Sequence, residues 1–182
     1  MDQIHIDKLA SIIELKEYNP FAMIPSEEIE AVKEVHHAGN YPISIRLNPQ
    51  KTTPTTYEEA VPWHQDGYYL SARPKFTLDP LFHAGAYYVQ EASSMFIGHA
   101  FKHIQSLMNS DNAIKVLDLC AAPGGKSTLV ASLLKDDDLL VSNEVIQSRA
   151  SILVENMTKW GQMNTWVTHN DPKDFAVLPQ TF

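Results

Sequence analysis

The sequence predicts an α/β fold, an open parallel sheet flanked by helices and preceded by a smaller α+β domain. Three observations predict it. Val116, Leu117 and Leu119 make a short apolar run of the kind a strand buried on both faces carries, with Asp118 near its carboxyl end. Pro123, Gly124 and Gly125 break that strand, and Ser127, Thr128, Leu129, Val130, Leu133 and Leu134 resume at helical spacing. A second apolar run, Leu139 to Asn143, ends at Glu144, nineteen residues after Gly125. Strand, glycine turn, helix and strand in that order are the opening of a Rossmann-like unit.

The turn is the candidate binding loop: Cys120, Ala121, Ala122, Pro123, Gly124, Gly125 and Lys126. A helix start behind a strand end points backbone N–H groups and the positive end of the helix dipole at a ligand, and two glycines permit close approach. The spacing departs from the phosphate-cradling G-x-x-x-x-G-K-[ST] loop only by Cys120 at the first glycine, which keeps a nucleotide triphosphatase as an alternative. Against that alternative, cysteine lacks the backbone freedom to wrap a phosphate. Glu144 also stands where a strand-end carboxylate accepts hydrogen bonds from both ribose hydroxyls of a nucleoside.

Composition bounds the rest. The chain has 182 residues, 44% of them hydrophobic, enough for one large or two small cores. No apolar run approaches the ~18 residues that cross a bilayer, and MDQIHIDKLA has neither a basic leader nor a continuous apolar stretch, so a cytoplasmic protein without membrane association is expected. The single cysteine, Cys120, excludes an intrachain disulfide and a C-x-x-C metal site. A net charge of −8 counts against nucleic-acid binding, though Asp136, Asp137 and Asp138 gather part of it in one expected surface turn.

Along the chain, Ile4 to Leu15 has the spacing of an amphipathic helix. Ser26 is the expected cap of a second helix with Glu27 and Glu28 in its first turn, Ile29, Val32 and Val35 on its buried side, and Gly39 as its stop. His36 and His37 fall in its last turn, where imidazoles favour the negative helix end. Ile43, Ile45 and Leu47 alternate with Ser44, Arg46 and Asn48 as in a half-buried strand with Arg46 on its polar face. Val61 to Leu70 reads as a hairpin about Asp66-Gly67, carrying Trp63, Tyr68 and Tyr69 beside the basic Arg73 and Lys75. Such a mixture serves either packing or single-stranded RNA.

Ala86 to Val89 reads as a strand, and Ser93 to Ile104 as a helix offering Met95, Phe96, Ala100 and Ile104 for burial. His99 and His103 share a helix face but have no third ligand, so no metal is assigned. Asn109 to Asn112 is the expected linker. Beyond Glu144, Ile146, Ala150, Leu153, Val154, Met157 and Trp160 line one face of a helix that ends before Gly161. A third strand from Thr165 finishes at Asp171, on the same carboxyl edge as the loop and Glu144.

These residues carry a resemblance. VLDLCAAPGGKST, Asn143-Glu144, SRASILVENMTKWG and TWVTHND resemble the RNA (cytosine-5) methyltransferases of the Sun-type family. SIRLNP, VPWHQDGYYL and YYVQEASSM resemble its bacterial ribosomal-RNA branch, and the likeness runs from about residue 40 to 182. The resemblance implies a Rossmann-like methyltransferase domain with S-adenosyl-L-methionine on the Cys120 to Lys126 loop, Glu144 on its ribose and Asp171 on its adenine. It implies an RNA substrate, ribosomal rather than transfer, and a division into an RNA-docking α+β domain (1–112) and the first part of the cofactor domain (113–182). The family's chemistry needs a cysteine thiolate that adds to C6 of cytosine. The motifs that hold it are expected after Phe182, so no catalytic residue is assigned, and Cys120 belongs to the cofactor motif. These residues alone are then expected to hold cofactor without methylating RNA, with an exposed strand edge open to self-association. A non-catalytic RNA- or cofactor-binding fragment is a second alternative.

Overall fold

The computed structural model describes residues 25–38, 41–54, 57–108, 112–178 and 182. The expected helix over Ile4 to Leu15, its successor's stop at Gly39 and most of the 109–112 linker lie outside them. The chain divides into two compact units, Met1–Tyr41 and Pro42–Phe182. The first contributes α1, Ser26–Ala38, with Glu27 and Glu28 in its first turn. Its entry differs from the expectation by one residue: Pro25 O receives the N–H groups of Glu28 (3.0 Å) and Ile29 (3.2 Å), so Ser26 is already helical.

The second unit holds two three-stranded sheets. In one, β1 (Ile43–Leu47) lies between β2 (Gly67–Leu70) and β3 (Tyr87–Val89), antiparallel to both. Ile45 faces Tyr68 on one side and Val89 on the other. In the other, β4 (Lys115–Asp118), β5 (Leu139–Asn143) and β6 (Thr165–Thr168) run parallel in that order, with Leu117 opposite Val141 and Val141 opposite Trp166. The α2 helix (Pro80–His83) precedes β3, and α3 (Ala92–Leu107) leads to the parallel sheet. There α4 (Gly125–Ala131) joins β4 to β5, and α5 (Gln147–Trp160) joins β5 to β6. This is the expected Rossmann-like α/β arrangement beside an α+β sheet. Residue 112, where two domains were expected to meet, falls inside this one unit.

One core cluster joins Ala121, Ala122, Val130, Ala131, Leu140, Leu153, Met157 and Trp160, so the loop after β4 and α5 share their packing. A second, of Val61, Ala92, Met95 and Leu129, ties α3 and α4 to the antiparallel sheet. At Gly98 α3 comes close to α4: a Cβ there would stand 3.0 Å from Leu129 Cδ2, tight enough that the leucine would have to shift.

Several expected faces are corrected. Arg46 is 1% exposed, not on a polar face, because Arg46 and Asn48 bond to Thr128 of α4 and Trp160 O of α5, while the equally buried Ser44 donates to Gln90 O after β3. On α3 the buried residues are Ala92, Met95 and Gly98, while Phe96 and Ile104 are half exposed. On α5, Ile146 is the N-cap and Val154 faces outward, leaving Ala150, Leu153, Met157 and Trp160 inside. Asp138 is buried, accepting from Ile114 N and Lys135 N at 2.7 Å each, and so braces its turn instead of decorating it. Asp66-Gly67 is not a two-residue turn: the reversal spans Val61 to Gly67, with an isolated bridge between Ala60 and Tyr68. Gly67 is required there for space, since its Cβ would lie 2.7 Å from Met95 Sδ.

Among the described residues β4 pairs on one side only, with β5, and its Val116 and Leu117 are half buried where a doubly covered strand was expected. Also among them, no helix is long and apolar enough to cross a membrane.

Candidate cofactor site

The carboxyl ends of β4 and β5 set the site. Asp118, the last residue of β4, holds the loop that follows: Oδ1 accepts from Cys120 N at 3.2 Å and Oδ2 from Ser127 Oγ at 2.7 Å. One carboxylate thereby spans from the strand end to the first turn of α4. Ala121 N donates to Asn143 O (2.9 Å) and Gly124 N to Ala121 O (2.8 Å). Gly124 takes φ 111°, a left-handed conformation that favours glycine, and a Cβ there would press on Leu153 Cδ1 at 3.3 Å.

The expectation that this loop offers its N–H groups to a ligand is therefore corrected at three positions. The Cys120, Ala121 and Gly124 amides are engaged within the protein. That bears on the triphosphatase alternative, because a phosphate cradle is built from such amides and is not placed against an anchored carboxylate such as Asp118.

Glu144 follows β5 directly and is 2% exposed. Its Oε1 accepts from Ile146 N at 3.0 Å. Its Oε2 has no hydrogen-bond partner in the protein, although Arg149 Nη1 lies 3.4 Å away at ion-pair distance. Arg149 also donates to Ala122 O at 2.6 Å, joining the loop to the β5 end. A buried carboxylate oxygen with unused acceptor capacity is costly unless a donor reaches it. Two adjacent ribose hydroxyls supply such donors, and the residues present fit an S-adenosylmethionine ribose on this count.

Asn143 is the hub behind Glu144. Fully buried, it accepts at Oδ1 from Thr168 Oγ1 (3.0 Å) and Asn170 N (2.9 Å), and donates to Asn170 O (3.0 Å). Asp171 stands past the end of β6, not on it, because that strand stops at Thr168. It is exposed, and its Oδ1 accepts from Lys173 N at 2.9 Å as the cap of the 3₁₀ turn Pro172–Val177. Cys120 and Lys126 are exposed on the loop surface, and Pro123 O receives Asn156 Nδ2 (2.7 Å) and Tyr88 OH (3.1 Å).

The Pro123 side of the loop borders a recess of about 320 Å³ lined by Phe76, Phe82, Tyr87, Tyr88, Trp160 and the cations Arg73 and Lys159. Arg73 lies over the Phe76 ring at 5.8 Å, so this member of the expected basic spot is next to aromatic faces. Among the described residues no group of three His, Cys, Asp or Glu side chains could hold a metal ion.

Sequence reading missed a buried network under the loop. Arg46 donates from Nε to Gln90 Oε1 (2.8 Å) and from Nη2 to Thr128 Oγ1 (2.6 Å) and Gly125 O (3.2 Å). Burial lowers its pKa to about 9, which leaves it cationic at pH 7. Nothing in the alternating β1 sequence signalled it. Asp118 did carry a signal, since a carboxylate at the end of a strand is placed to hold the loop that follows it.

The sequence and the fold match known proteins. The description "N-terminal domain of 16S rRNA methyltransferase RsmF" matches residues 20–92, and "16S rRNA methyltransferase RsmB/F" matches residues 105–181. Ribosomal RNA small subunit methyltransferase F of Pectobacterium atrosepticum is 37% identical over 131 residues, covering 68% of this chain and 26% of that protein. Its namesake in Aeromonas salmonicida is 36% identical over 158 residues, covering 76% of this chain and 32% of that one. The chain thus spans about a quarter to a third of the length of the curated relatives it matches. Among solved structures, a methyltransferase homolog protein from Pyrococcus horikoshii superposes with a TM-score of 0.67 at 23% identity, over 98% of this chain and 60% of that one, which shows the shared fold. The chain belongs to the RsmB/F family of 16S rRNA methyltransferases, a family of S-adenosylmethionine-dependent enzymes.

Proposed function

We propose that this chain is the cofactor-holding portion of an enzyme that methylates C5 of cytosine in small-subunit ribosomal RNA. The observation that carries the cofactor part is Glu144 Oε2, buried and without a hydrogen bond at the end of β5, beside a loop held by Asp118, Asn143 and Arg149. In this reading Cys120 to Lys126 line the methionine and ribose end of the cofactor and Glu144 accepts from the ribose hydroxyls. Asp171 stands toward the adenine. S-adenosylmethionine, when bound, supplies the methyl group. Relatives named for the ribosomal small subunit support ribosomal RNA as the substrate, with residues 1–112 as its docking part.

Cytosine C5 is too weak a nucleophile to take a methyl group until a thiolate adds to C6. Cys120 is the chain's one cysteine, and its backbone is tied to Asp118 within the cofactor loop. We assign it to the loop and not to the base, and the 182 residues bind cofactor without methylating RNA by themselves. The test incubates the chain, and a full-length relative with and without the equivalent cysteine-to-serine change, with radiolabelled S-adenosylmethionine and unmodified ribosomal RNA. Label transferred by the chain alone would overturn the assignment, as would loss of transfer in the changed relative at unaltered cofactor affinity.

A further inference from the structure

We propose that Arg46 is a positioning residue for the cofactor loop: reaching from β1, it fixes the Gly124-Gly125 turn and so sets cofactor affinity from the antiparallel sheet. The inference rests on the reading of Cys120 to Lys126 and Glu144 as the cofactor site.

Arg46 is 1% exposed, yet each group it donates to is neutral: Gln90 Oε1, Gly125 O and Thr128 Oγ1. Its Nη1 has no hydrogen-bond partner in the protein. The guanidinium carbon lies 4.4 Å from the centre of the Trp160 ring and 6.0 Å from that of Tyr88. Faces of two aromatic rings offset some of the lost hydration, but a buried cation without a carboxylate is a poor device for stability, where an apolar side chain of the same volume serves as well or better. What an apolar side chain cannot do is hold a turn carbonyl and the Thr128 hydroxyl together with a planar fork.

The fork has a directed consequence. Because Nη2 donates to Thr128 Oγ1, the hydroxyl proton of Thr128 is turned elsewhere, and the acceptor it meets is Gly124 O at 2.8 Å. Gly125 O receives Arg46 Nη2 and Gln90 Nε2, both at 3.2 Å, while Gln90 is itself held by Arg46 Nε. Two successive carbonyls of the turn are thus tied to buried side chains, one directly and one through Thr128. Gly124 sits at φ 111°, and as a glycine it has more backbone freedom to lose than any other residue. Fixing its carbonyl and the next one removes that freedom before ligand arrives, and a preorganised loop binds more tightly than one that must be ordered.

The test is calorimetric titration of the whole chain with S-adenosylhomocysteine, at a temperature where circular dichroism shows each variant folded. Arg46→Met, Arg46→Lys, Thr128→Val and the Arg46→Met/Thr128→Val double variant are compared with the wild type and with Glu144→Ala. Arg46→Met and Thr128→Val are each expected to weaken binding by about tenfold or more, about 1.4 kcal/mol. Lysine is not expected to restore it, and the double variant binds no worse than the weaker single one, since both interrupt one chain of bonds. A general loss of stability would move the unfolding midpoint without that saturation in affinity. Wild-type affinity in either single variant, or effects that multiply in the double one, would overturn the proposal; if the arginine variants fail to fold, Thr128→Val decides. A wild-type chain that binds no S-adenosylhomocysteine would overturn the site reading and this proposal together. Loss in the Glu144 variant alone would overturn only the role of Arg46.

Discussion

Replacing Glu144 with glutamine keeps the shape of a side chain that is 2% exposed and removes its charge. The amide oxygen still accepts from Ile146 N, as Oε1 does at 3.0 Å. What changes is the other atom: Oε2, a carboxylate oxygen with no hydrogen bond, becomes an NH₂ group that cannot accept from a ribose hydroxyl. A hydrogen bond to a charged group contributes about 1.5 to 3 kcal/mol, so a loss of about 2 kcal/mol corresponds to a Kd roughly 30-fold higher. At a ligand concentration 100 times the wild-type Kd, cofactor adds about 2.7 kcal/mol to wild-type stability and about 0.9 kcal/mol to the variant. Urea denaturation with and without S-adenosylhomocysteine measures both numbers on the same samples. The ligand-free curves account for any loss of the ion pair with Arg149 Nη1, 3.4 Å away, so that the ligand-induced difference alone reports on the ribose. Equal ligand-induced stabilisation in the two proteins would refute the assignment of Oε2 to the ribose.

Three further outcomes follow from the same geometry. Gly124→Ala places a Cβ at φ 111° and 3.3 Å from Leu153 Cδ1, and should cost about 1 to 2 kcal/mol in urea denaturation and weaken cofactor binding along with it. Gly67→Ala drives a Cβ to 2.7 Å from Met95 Sδ and 3.0 Å from Val61 Cβ, and should cost about 1 to 3 kcal/mol by overpacking while leaving cofactor affinity unchanged. His64 is held neutral by burial and by nearby Arg46, with Nδ1 accepting from Asp66 N at 3.2 Å. Its folded pKa lies below 6.5, so the unfolded chain binds the extra proton as pH falls through that value. Stability should therefore decline below about pH 6.5 by at most about 1.4 kcal/mol per pH unit from this group, and His64→Asn should flatten that part of the curve.

What sequence showed well was whatever is local. The β4 to α4 turn, the β5 end at Glu144 and the stop at Gly161 each follow from a few adjacent residues whose backbone requirements are strong, and each is where it was expected. What it hid was contact between distant segments. Arg46 looked like the polar side of an alternating strand because nothing within β1 shows that a second layer covers it. Its partners Gly125 and Thr128 lie some eighty residues on. The face of α3 was misjudged for a related reason: Gly98, with no side chain to suggest burial, is buried near Leu129 with Ala92 and Met95, and Phe96 and Ile104 lie half exposed. Asp171 was placed on a strand that ends three residues earlier: pairing with β5 stops at Thr168, and Asp171 caps the turn that follows.

The central claim is that Cys120 to Lys126 and Glu144 receive the nucleoside of S-adenosylmethionine and not a triphosphate. The most direct measurement is a pair of equilibrium titrations of the chain at pH 7.5, one with S-adenosylhomocysteine and one with ATP and magnesium. The geometry predicts saturable one-to-one binding of S-adenosylhomocysteine and none of ATP, because the Cys120, Ala121 and Gly124 amides are spent within the protein and Asp118 is anchored beside them. Tight ATP binding that S-adenosylhomocysteine fails to displace would contradict it.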